Sequence, residues 1–291
     1  MPLSSILLAL TVVIVWGLSF SAIKFGVDEM PPLFLTAFRF ALAALPAVFF
    51  VPRPSAWRYL VGFGFILGVV KFSVMFLAIK AGLPTGLSSI LIQTQVFFTI
   101  AFAALMFRER PTRLQLTGTA LALAGVVIIT ASRATGAPMA TLFLTLFAAV
   151  CWGLANLIAK AAGKADMLAF IIWSSLIPPI PLLALSLVFE GPAAIRSGVT
   201  EASWLAWGAL LYMAYGATLF GFSAWNHLLS RYSTAAVAPF GLLVPIVGMV
   251  VGAFVLGEAM PPVIIGGAAL ILTGLAVTLF GAQAIAALRR R

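Results

Sequence analysis

The chain has 291 residues, of which 63% are hydrophobic and 8% are charged, and its formal net charge is +10. No soluble domain keeps such a surface in water, so the composition excludes a soluble protein and indicates a membrane protein. The basic residues are scattered over several loops and form no patch with base-stacking aromatic residues. Nucleic acid is therefore excluded as a partner, and the lipid bilayer remains.

In chain order, the sequence contains about ten apolar segments long enough to span a membrane, which needs ~20 residues for ~30 Å of hydrocarbon. Each segment is bounded by charged residues, Pro or Gly. The strands of a membrane β-barrel would give a weaker, more polar pattern. We therefore predict an all-α membrane protein with ten transmembrane helices and short joins. The predicted helices cover residues 4–24, 33–51, 57–79, 85–107, 112–131, 139–161, 167–189, 203–229, 234–257 and 261–281.

The first segment and the loops between segments predict the orientation of the chain. No Lys or Arg precedes the first segment and no clear cleavage site follows it, so we expect a membrane helix and not a signal peptide. With the N-terminus inside, the internal loops and tail hold eleven Lys and Arg residues, and the external side holds four. Because cytoplasmic loops carry the excess of positive charge, both termini are predicted to be cytoplasmic.

The chain contains one pattern twice. The stretch WGLSFSAIK, which begins at Trp16, returns as WGLANLIAK at Trp152, 136 residues later. At a spacing of 149 residues, further pairs correspond: Thr85 with Thr234, Glu109 with Glu258, Gly118 with Gly267 and Gly125 with Gly274. We therefore predict two five-helix repeats, residues 1–136 and 137–291. Because five is odd, the second repeat is inverted, as in alternating-access transporters whose substrate site lies near the membrane midplane.

The residues also carry a family resemblance. The stretches GLSSILIQTQVFFTIAFAALMFRER and VAPFGLLVPIVGMVVGAFVLGE resemble the EamA-type branch of the drug/metabolite transporter superfamily, as do the spaced glycines of the fifth and tenth segments. Within that branch, MPPLFLTAFRF, IIWSSLIPPIP and the fourth segment most resemble bacterial exporters of cysteine and O-acetylserine. The resemblance covers essentially the whole chain. It implies ten helices, a bacterial inner-membrane location and export of amino acids or related metabolites.

Two corresponding helix faces are candidates for the wall of a substrate cavity. Trp16 and Trp152 lie near the middle of their segments, too deep for an aromatic belt, and Asn156 follows Trp152 by one turn. We predict aromatic walls from the two tryptophans and a polar contact from Asn156. Lys24 and Lys160 lie further along the same faces and are expected to end their helices, so the alternative for these lysines is snorkelling to the interface.

Arg39 and Lys71 are the sharpest polar signals, because both lie well inside predicted helices. A charge at a helix centre costs ~3 kcal/mol on insertion scales and normally faces an aqueous path or a partner. All seven acidic residues lie at segment ends or in loops, so the two cations predict a cavity for a carboxylate. For Arg39, the alternative is a structural role, with the side chain snorkelling outward towards Glu29.

The fourth segment adds buried amides. Gln95 and Thr99 fall on one helical stripe, and Gln93 lies nearly opposite. Amides in hydrocarbon need partners, so one glutamine is expected to bond across helices and the other, Gln95, to face the substrate. Prolines in the seventh and ninth segments free backbone carbonyls that a cavity could satisfy, or they only bend the helices.

These features predict a transporter that exports zwitterionic amino acids or related small metabolites by alternating access. One alternative is a multidrug or cation exporter of the same superfamily, whose chemistry requires a deep carboxylate that the first segment lacks. A less favoured alternative is a membrane-embedded enzyme. One His, one Cys and no deep acid predict no catalytic residue, no metal site and no cofactor. The predicted substrate-binding residues are Trp16, Arg39, Lys71, Gln95, Trp152 and Asn156.

The sequence specifies energy coupling only weakly. Without a deep acid, a proton relay through a carboxylate is not expected, and facilitated diffusion down an outward gradient is favoured; a lysine in the membrane is the alternative proton carrier. The oligomeric state and the choice of amino acid stay open.

Overall fold

The computed structural model describes residues 1–54, 57–107, 111–132, 136–162, 166–232, 237, 240–241 and 243–288. Within these ranges all regular structure is helical, and nine helices are long and apolar enough to cross a membrane. The helices are α1 (Leu3–Glu29), α2 (Pro32–Phe49), α3 (Trp57–Lys80), α4 (Thr85–Met106), α5 (Arg113–Ser132), α6 (Met139–Ala161), α7 (Leu168–Phe189), α8 (Trp204–Trp225), the shorter α9 (Leu243–Leu256) and α10 (Pro262–Gly281). The prediction of an all-α, multi-pass membrane protein is confirmed.

Some of the predicted features fall partly or wholly outside these ranges. The ninth predicted segment is described only in part, and its helix α9 has 14 residues. Glu109 and Thr234 of the repeat, and residues 289–291 of the orientation argument, also lie outside the described residues. The inverted repeat and the cytoplasmic location of the termini therefore stay predictions at this stage.

The first helix is longer than predicted. Lys24 was expected to end it, but α1 continues to Glu29, so that expectation is wrong. Lys24 forms an ion pair with Asp28, one turn further on, at the partly exposed end of α1. Lys160 lies in the last turn of α6, where the sequence predicts it.

Carboxylates from distant parts of the chain cap three helix N-termini. Glu190, after α7, accepts hydrogen bonds at 2.7 and 3.1 Å from two backbone N–H groups in the first turn of α2. Glu258, after α9, accepts bonds from the first two N–H groups of α4, one of them at 2.9 Å. Glu29 accepts a bond at 2.5 Å from the backbone N–H of Ser203, the N-cap of α8. Such N–H groups have no partner inside their helix and favour a negative charge, so these carboxylates tie helices together. We call this end of the bundle, with Glu29, Glu190 and Glu258, the capped end.

Helices α5 and α10 pack through the glycines that correspond in the repeat. A Cβ on Gly118 would lie 2.4 Å from the carbonyl oxygen of Gly274, and one on Gly125 would lie 2.5 Å from that of Gly267. The earlier glycine of α5 meets the later glycine of α10, so the two helices run antiparallel. Lipid is as apolar as a leucine side chain, so such close backbone contact is a main source of helix association.

Two further glycines bring α1 and α6 close to helices of the other half of the chain. A Cβ on Gly17 would lie 2.5 Å from a side-chain carbon of Val247 in α9. A Cβ on Gly153 would lie 2.9 Å from Cβ of Phe98 in α4. As a result, α1 packs on a helix of the second half of the chain, and α6 packs on a helix of the first half.

Helices α3, α4 and α8 are irregular near their centres. Gly64–Lys71 in α3 and Tyr212–Phe220 in α8 are π-helical, and Ile92–Thr94 in α4 is a 3₁₀ turn. In α8, the hydroxyl of Thr218 donates to the carbonyl oxygen of Met213, five residues earlier, at 2.9 Å. π-Helical turns often accompany functional sites, and here all three irregular segments border the same cavity.

Candidate functional site

A cavity of about 340 Å³ lies in the middle of the bundle, and we call it the central cavity. Residues from α1, α2, α3, α4, α6, α8 and α9 line it. Its volume is at the lower end of the ~300–1,000 Å³ typical of small-molecule sites. The lining includes every residue that the sequence predicts as substrate-binding: Trp16, Arg39, Lys71, Gln95, Trp152 and Asn156.

Lys71 ends the π-helical segment of α3 and is 3% exposed. Its ammonium nitrogen lies 3.5 Å from the ring centroid of Phe72 and 4.6 Å from that of Trp152. Aromatic faces attract a cation but accept only part of its hydrogen-bonding capacity. Among the described residues, Nζ of Lys71 has no hydrogen-bond acceptor, so its N–H groups are available to a ligand in the cavity.

Arg39 on α2 is 5% exposed and points into the bundle. Its Cζ lies 4.4 Å from the ring centroid of Phe72, and Nη2 donates a long hydrogen bond of 3.4 Å to Oγ1 of Thr218. Nε and Nη1 are buried without an acceptor among the described residues. Glu29 bonds to Ser203 instead, so Arg39 does not snorkel towards Glu29 as the structural alternative required.

The two cations share one aromatic ring. Because both distances are measured from the centroid of Phe72, the ammonium and the guanidinium carbon are at most about 8 Å apart. At an effective dielectric constant of about 20, two like charges at that separation repel by about 2 kcal/mol. None of the acidic residues in the described part of the chain lines the central cavity. The cavity therefore concentrates positive charge that the described residues leave uncompensated.

An amide cluster joins α4 to α6. Nδ2 of Asn156 donates to Oε1 of Gln95 at 2.7 Å and to Oγ1 of Thr99 at 3.1 Å. Thr99 in turn donates to the backbone carbonyl of Gln95 at 2.8 Å. Gln95 thus lines the cavity, as predicted, and it also forms the hydrogen bond across helices that was expected of Gln93. Gln93 lines the cavity as well. In a 3₁₀ turn each residue rotates further about the helix axis than in an α-helix, and this extra rotation turns Gln93 inward.

A second cavity, also of about 340 Å³, adjoins the amide cluster. It lies towards the end of the bundle opposite the capped end, between the second half of α4, the start of α5 and the end of α6. Asn156 lines both cavities, while Thr99 and Lys160 line only the second. The amide cluster is therefore the partition between them.

Aromatic rings form the opposite wall of the central cavity. Nε1 of Trp16 donates at 2.9 Å to the carbonyl oxygen of Ala217, in the π-helical segment of α8. A Cβ on Gly221 would lie 2.4 Å from that nitrogen, so glycine allows the ring to lie against α8. The Trp16 ring also lies 5.5 Å from that of Phe222 and 5.2 Å from that of Trp225. Since the indole N–H is satisfied, Trp16 presents mainly an apolar ring to the cavity.

Sequence reasoning missed three contributors to this site. Thr218 positions Arg39, and no periodicity in α8 marks it, because the π-helical segment shifts the faces of the helix. Gln93 was assigned to the far side of α4. Phe72, which holds both cations, directly follows Lys71, and its apolar surroundings gave no signal.

Membrane-length helices that enclose an aromatic cavity with a few polar groups at the centre of the bundle are typical of membrane transport proteins. The model of the EamA-like transporter family matches residues 3–131 and again 139–280. The chain therefore belongs to the EamA-like transporter family, as the resemblance implied, and it contains the family's unit twice.

Individual relatives match along nearly the whole chain. Probable amino-acid metabolite efflux pumps of Salmonella typhimurium and Escherichia coli are 42% and 41% identical over 281 residues, 94% of each chain. A probable terminal-alkyne amino-acid exporter of Streptantibioticus cattleyicolor is 27% identical over 94% of this chain and 93% of its own. A protein crystal structure with 20% identity matches with a TM-score of 0.62, over 94% of this chain and 96% of that one, and it supports the fold alone.

Proposed function

We propose that the protein exports amino acids or related small metabolites across the bacterial inner membrane by alternating access. The observation that carries the proposal is the central cavity, where buried cations, amides and aromatic rings from both halves of the chain converge. The efflux pumps with 42% and 41% identity are named for amino-acid metabolites, which supports the same substrate class here.

Lys71 is the proposed anchor for the substrate carboxylate. Its ammonium is buried, faces the cavity and has no acceptor among the described residues. A carboxylate there would form charge-assisted hydrogen bonds, worth about 1.5–3 kcal/mol each. Arg39 provides further donors, Gln95 and Asn156 provide polar contacts, and the rings of Trp16 and Trp152 pack against the rest of the substrate.

The protein consists, in this proposal, of inverted repeats with the boundaries 1–136 and 137–291. Gly118 corresponds to Gly267 and Gly125 to Gly274 in sequence, yet Gly118 contacts Gly274 and Gly125 contacts Gly267. Such a reciprocal pattern between antiparallel helices is what a two-fold axis in the membrane plane produces.

Two further correspondences support the same axis. Gly17 packs on α9 and its counterpart Gly153 packs on α4, so equivalent glycines meet equivalent helices. The π-helical segments Gly64–Lys71 and Tyr212–Phe220 also fall at equivalent places in α3 and α8. With ten helices in two such repeats, rocking of one repeat against the other would expose the central cavity to each side in turn.

The distribution of basic residues supports an orientation with both termini in the cytoplasm. The capped end then faces outward, and the second cavity faces the cytoplasm. A substrate would enter through the second cavity, pass the amide cluster at Asn156 and bind at Lys71. Export would follow when the capped end opens.

Purified protein in liposomes tests the proposal. Vesicles loaded with a labelled amino acid should exchange it for unlabelled amino acid outside, and protein-free vesicles should not. A multidrug or cation exporter would instead move an organic cation and leave amino acids in place. The cavity opposes that outcome, because two buried cations repel a cationic drug.

A further inference from the structure

We infer that the substrate carries two acidic groups, so that the central cavity selects dicarboxylic amino-acid metabolites over neutral zwitterions. The inference rests on the proposed function, because it names the substrate class of the same cavity. One carboxylate would pair with Lys71 and the other with Arg39, which lie on the same ring of Phe72.

Charge balance is the first support. Lys71 and Arg39 are 3% and 5% exposed, so neither charge is screened by bulk water. A neutral zwitterion brings one carboxylate and one ammonium, so the net charge of the occupied cavity stays at two positive charges. A substrate with two carboxylates supplies an anion for each cation of the cavity. Buried charges are found paired, and the described residues provide neither cation with a carboxylate partner.

Hydrogen-bond accounting is the second support. Nε and Nη1 of Arg39 are buried donors without an acceptor, and the single bond from Nη2 to Thr218 is long, at 3.4 Å. Guanidinium groups bind carboxylates through two parallel N–H bonds, so a turn of the Arg39 side chain towards the cavity would offer these covered nitrogens to a carboxylate of its own. Lys71 has three N–H donors and no acceptor among the described residues. A substrate with a single carboxylate bound to Lys71 would leave these nitrogens of Arg39 without an acceptor.

For an ammonium group, the side chains that line the cavity offer neutral acceptors such as the amide oxygen of Gln93, and no charged partner among the described residues. The rings of Phe72 and Trp152 already contact the cations of the protein. Of the aromatic clusters that the described residues form at the cavity, the tilted rings of Trp16, Phe222 and Trp225 are left to contact a substrate ammonium. No carboxylate of the described residues lines the cavity. The amine of the substrate should therefore contribute less than either carboxylate, and acetylation of that amine should not weaken binding.

Competition in loaded liposomes tests the inference. One set of vesicles contains labelled glutamate and a second set contains labelled serine. The external competitors for both sets are serine, glutamate and N-acetylglutamate at matched concentrations. We expect glutamate and N-acetylglutamate to compete at least about tenfold better than serine. Lys71→Met should reduce that preference by about 10- to 100-fold, the effect of one charge-assisted bond. Lys24→Met removes the same charge from an ion pair outside the cavity and should leave the preference unchanged.

Arg39→Gln provides a second variant, with donors but no charge, in case the Lys71 variant does not fold. Exchange of serine without any advantage of glutamate would refute the inference and leave the proposed function intact. A glutamate preference that survives in both cavity variants would refute the pairing with Lys71 and Arg39. Absence of exchange for every amino acid would refute the proposed function itself.

Discussion

Neutralising Glu258 should open the capped end of the bundle. Its carboxylate comes from the loop after α9 and accepts hydrogen bonds from the first two N–H groups of α4. Glu258→Gln keeps the size of the side chain and one acceptor oxygen. It removes the charge that the positive end of α4 favours.

The size of the effect follows from the bonds that change. The amide still accepts one bond, so the variant loses about one charge-assisted bond, worth about 1.5–3 kcal/mol. Because about 1.4 kcal/mol corresponds to a factor of ten, the population with an open capped end should rise about 10- to 100-fold. This shift assumes that the bond is broken in the open state, as alternating access requires.

Chemical labelling from outside the cell measures that population. The single native cysteine, Cys151, is replaced by Ala, and a new cysteine is placed at Ser19, which lines the central cavity. In intact cells, a membrane-impermeant maleimide should label Ser19→Cys at least about tenfold faster when Glu258→Gln is present. Glu201→Gln is the matched control, because Glu201 is an exposed acid at the same end that follows the short helix Gly191–Thr200.

Two results would contradict this reasoning. Equal labelling rates in the Glu258 and Glu201 variants would show that the cap on α4 does not hold the capped end closed. Faster labelling only from the cytoplasmic side of inverted vesicles would show that the proposed orientation is reversed.

Four further predictions follow from the same geometry. Asn156→Leu removes both bonds of the amide cluster and should lower amino-acid exchange about tenfold, measured in liposomes. Gly125→Ala places a Cβ 2.5 Å from a carbonyl oxygen of α10 and should destabilise the protein by about 1–3 kcal/mol, seen as a lower melting temperature in detergent. Gly266→Ala, where nothing lies within 4 Å of the added Cβ, should melt at the wild-type temperature or slightly above it, because alanine favours a helix more than glycine does. A fluorescent reporter fused to the C-terminus should be active, and a phosphatase reporter at the same place inactive. Exchange should continue without a pH gradient, and strict dependence on one would reveal a proton carrier.

The sequence could predict which residues face the central cavity because depth in the membrane constrains them. A charge in the middle of an apolar helix normally turns inward, so position alone makes Arg39 and Lys71 cavity candidates, although for Arg39 it leaves the outward alternative open. The repeated stretch at Trp16 and Trp152 added two faces that correspond to each other. These residues come from four different helices, and all of them line one cavity.

The features that the sequence did not predict depend on deviations from regular helix geometry and on hydrogen-bond partners that are far apart in the chain. Gln93 could not be assigned correctly, because the 3₁₀ turn in α4 breaks the 100° periodicity on which the assignment relied. The same holds for Thr218 in the π-helical segment of α8. The caps by Glu190 and Glu258 join residues that are 157 and 173 positions apart, and no local spacing reveals such bonds.

The two ends of the bundle are held together by bonds of different strength. At the capped end, three carboxylates bond to helix N-termini, and such charge-assisted bonds are worth about twice as much as neutral ones. At the other end, the neutral amide cluster of Gln95, Thr99 and Asn156 separates the central cavity from the second one. We therefore expect that opening the amide cluster costs less than opening the capped end, and that the proposed transport cycle loads from the side of the second cavity. A ligand shifts this equilibrium only by binding the second state more tightly. Lys71 and Arg39 repel each other until an anion lies between them. An anionic substrate would therefore draw α2 and α3 together. The free energy gained in this way would offset the cost of breaking the caps.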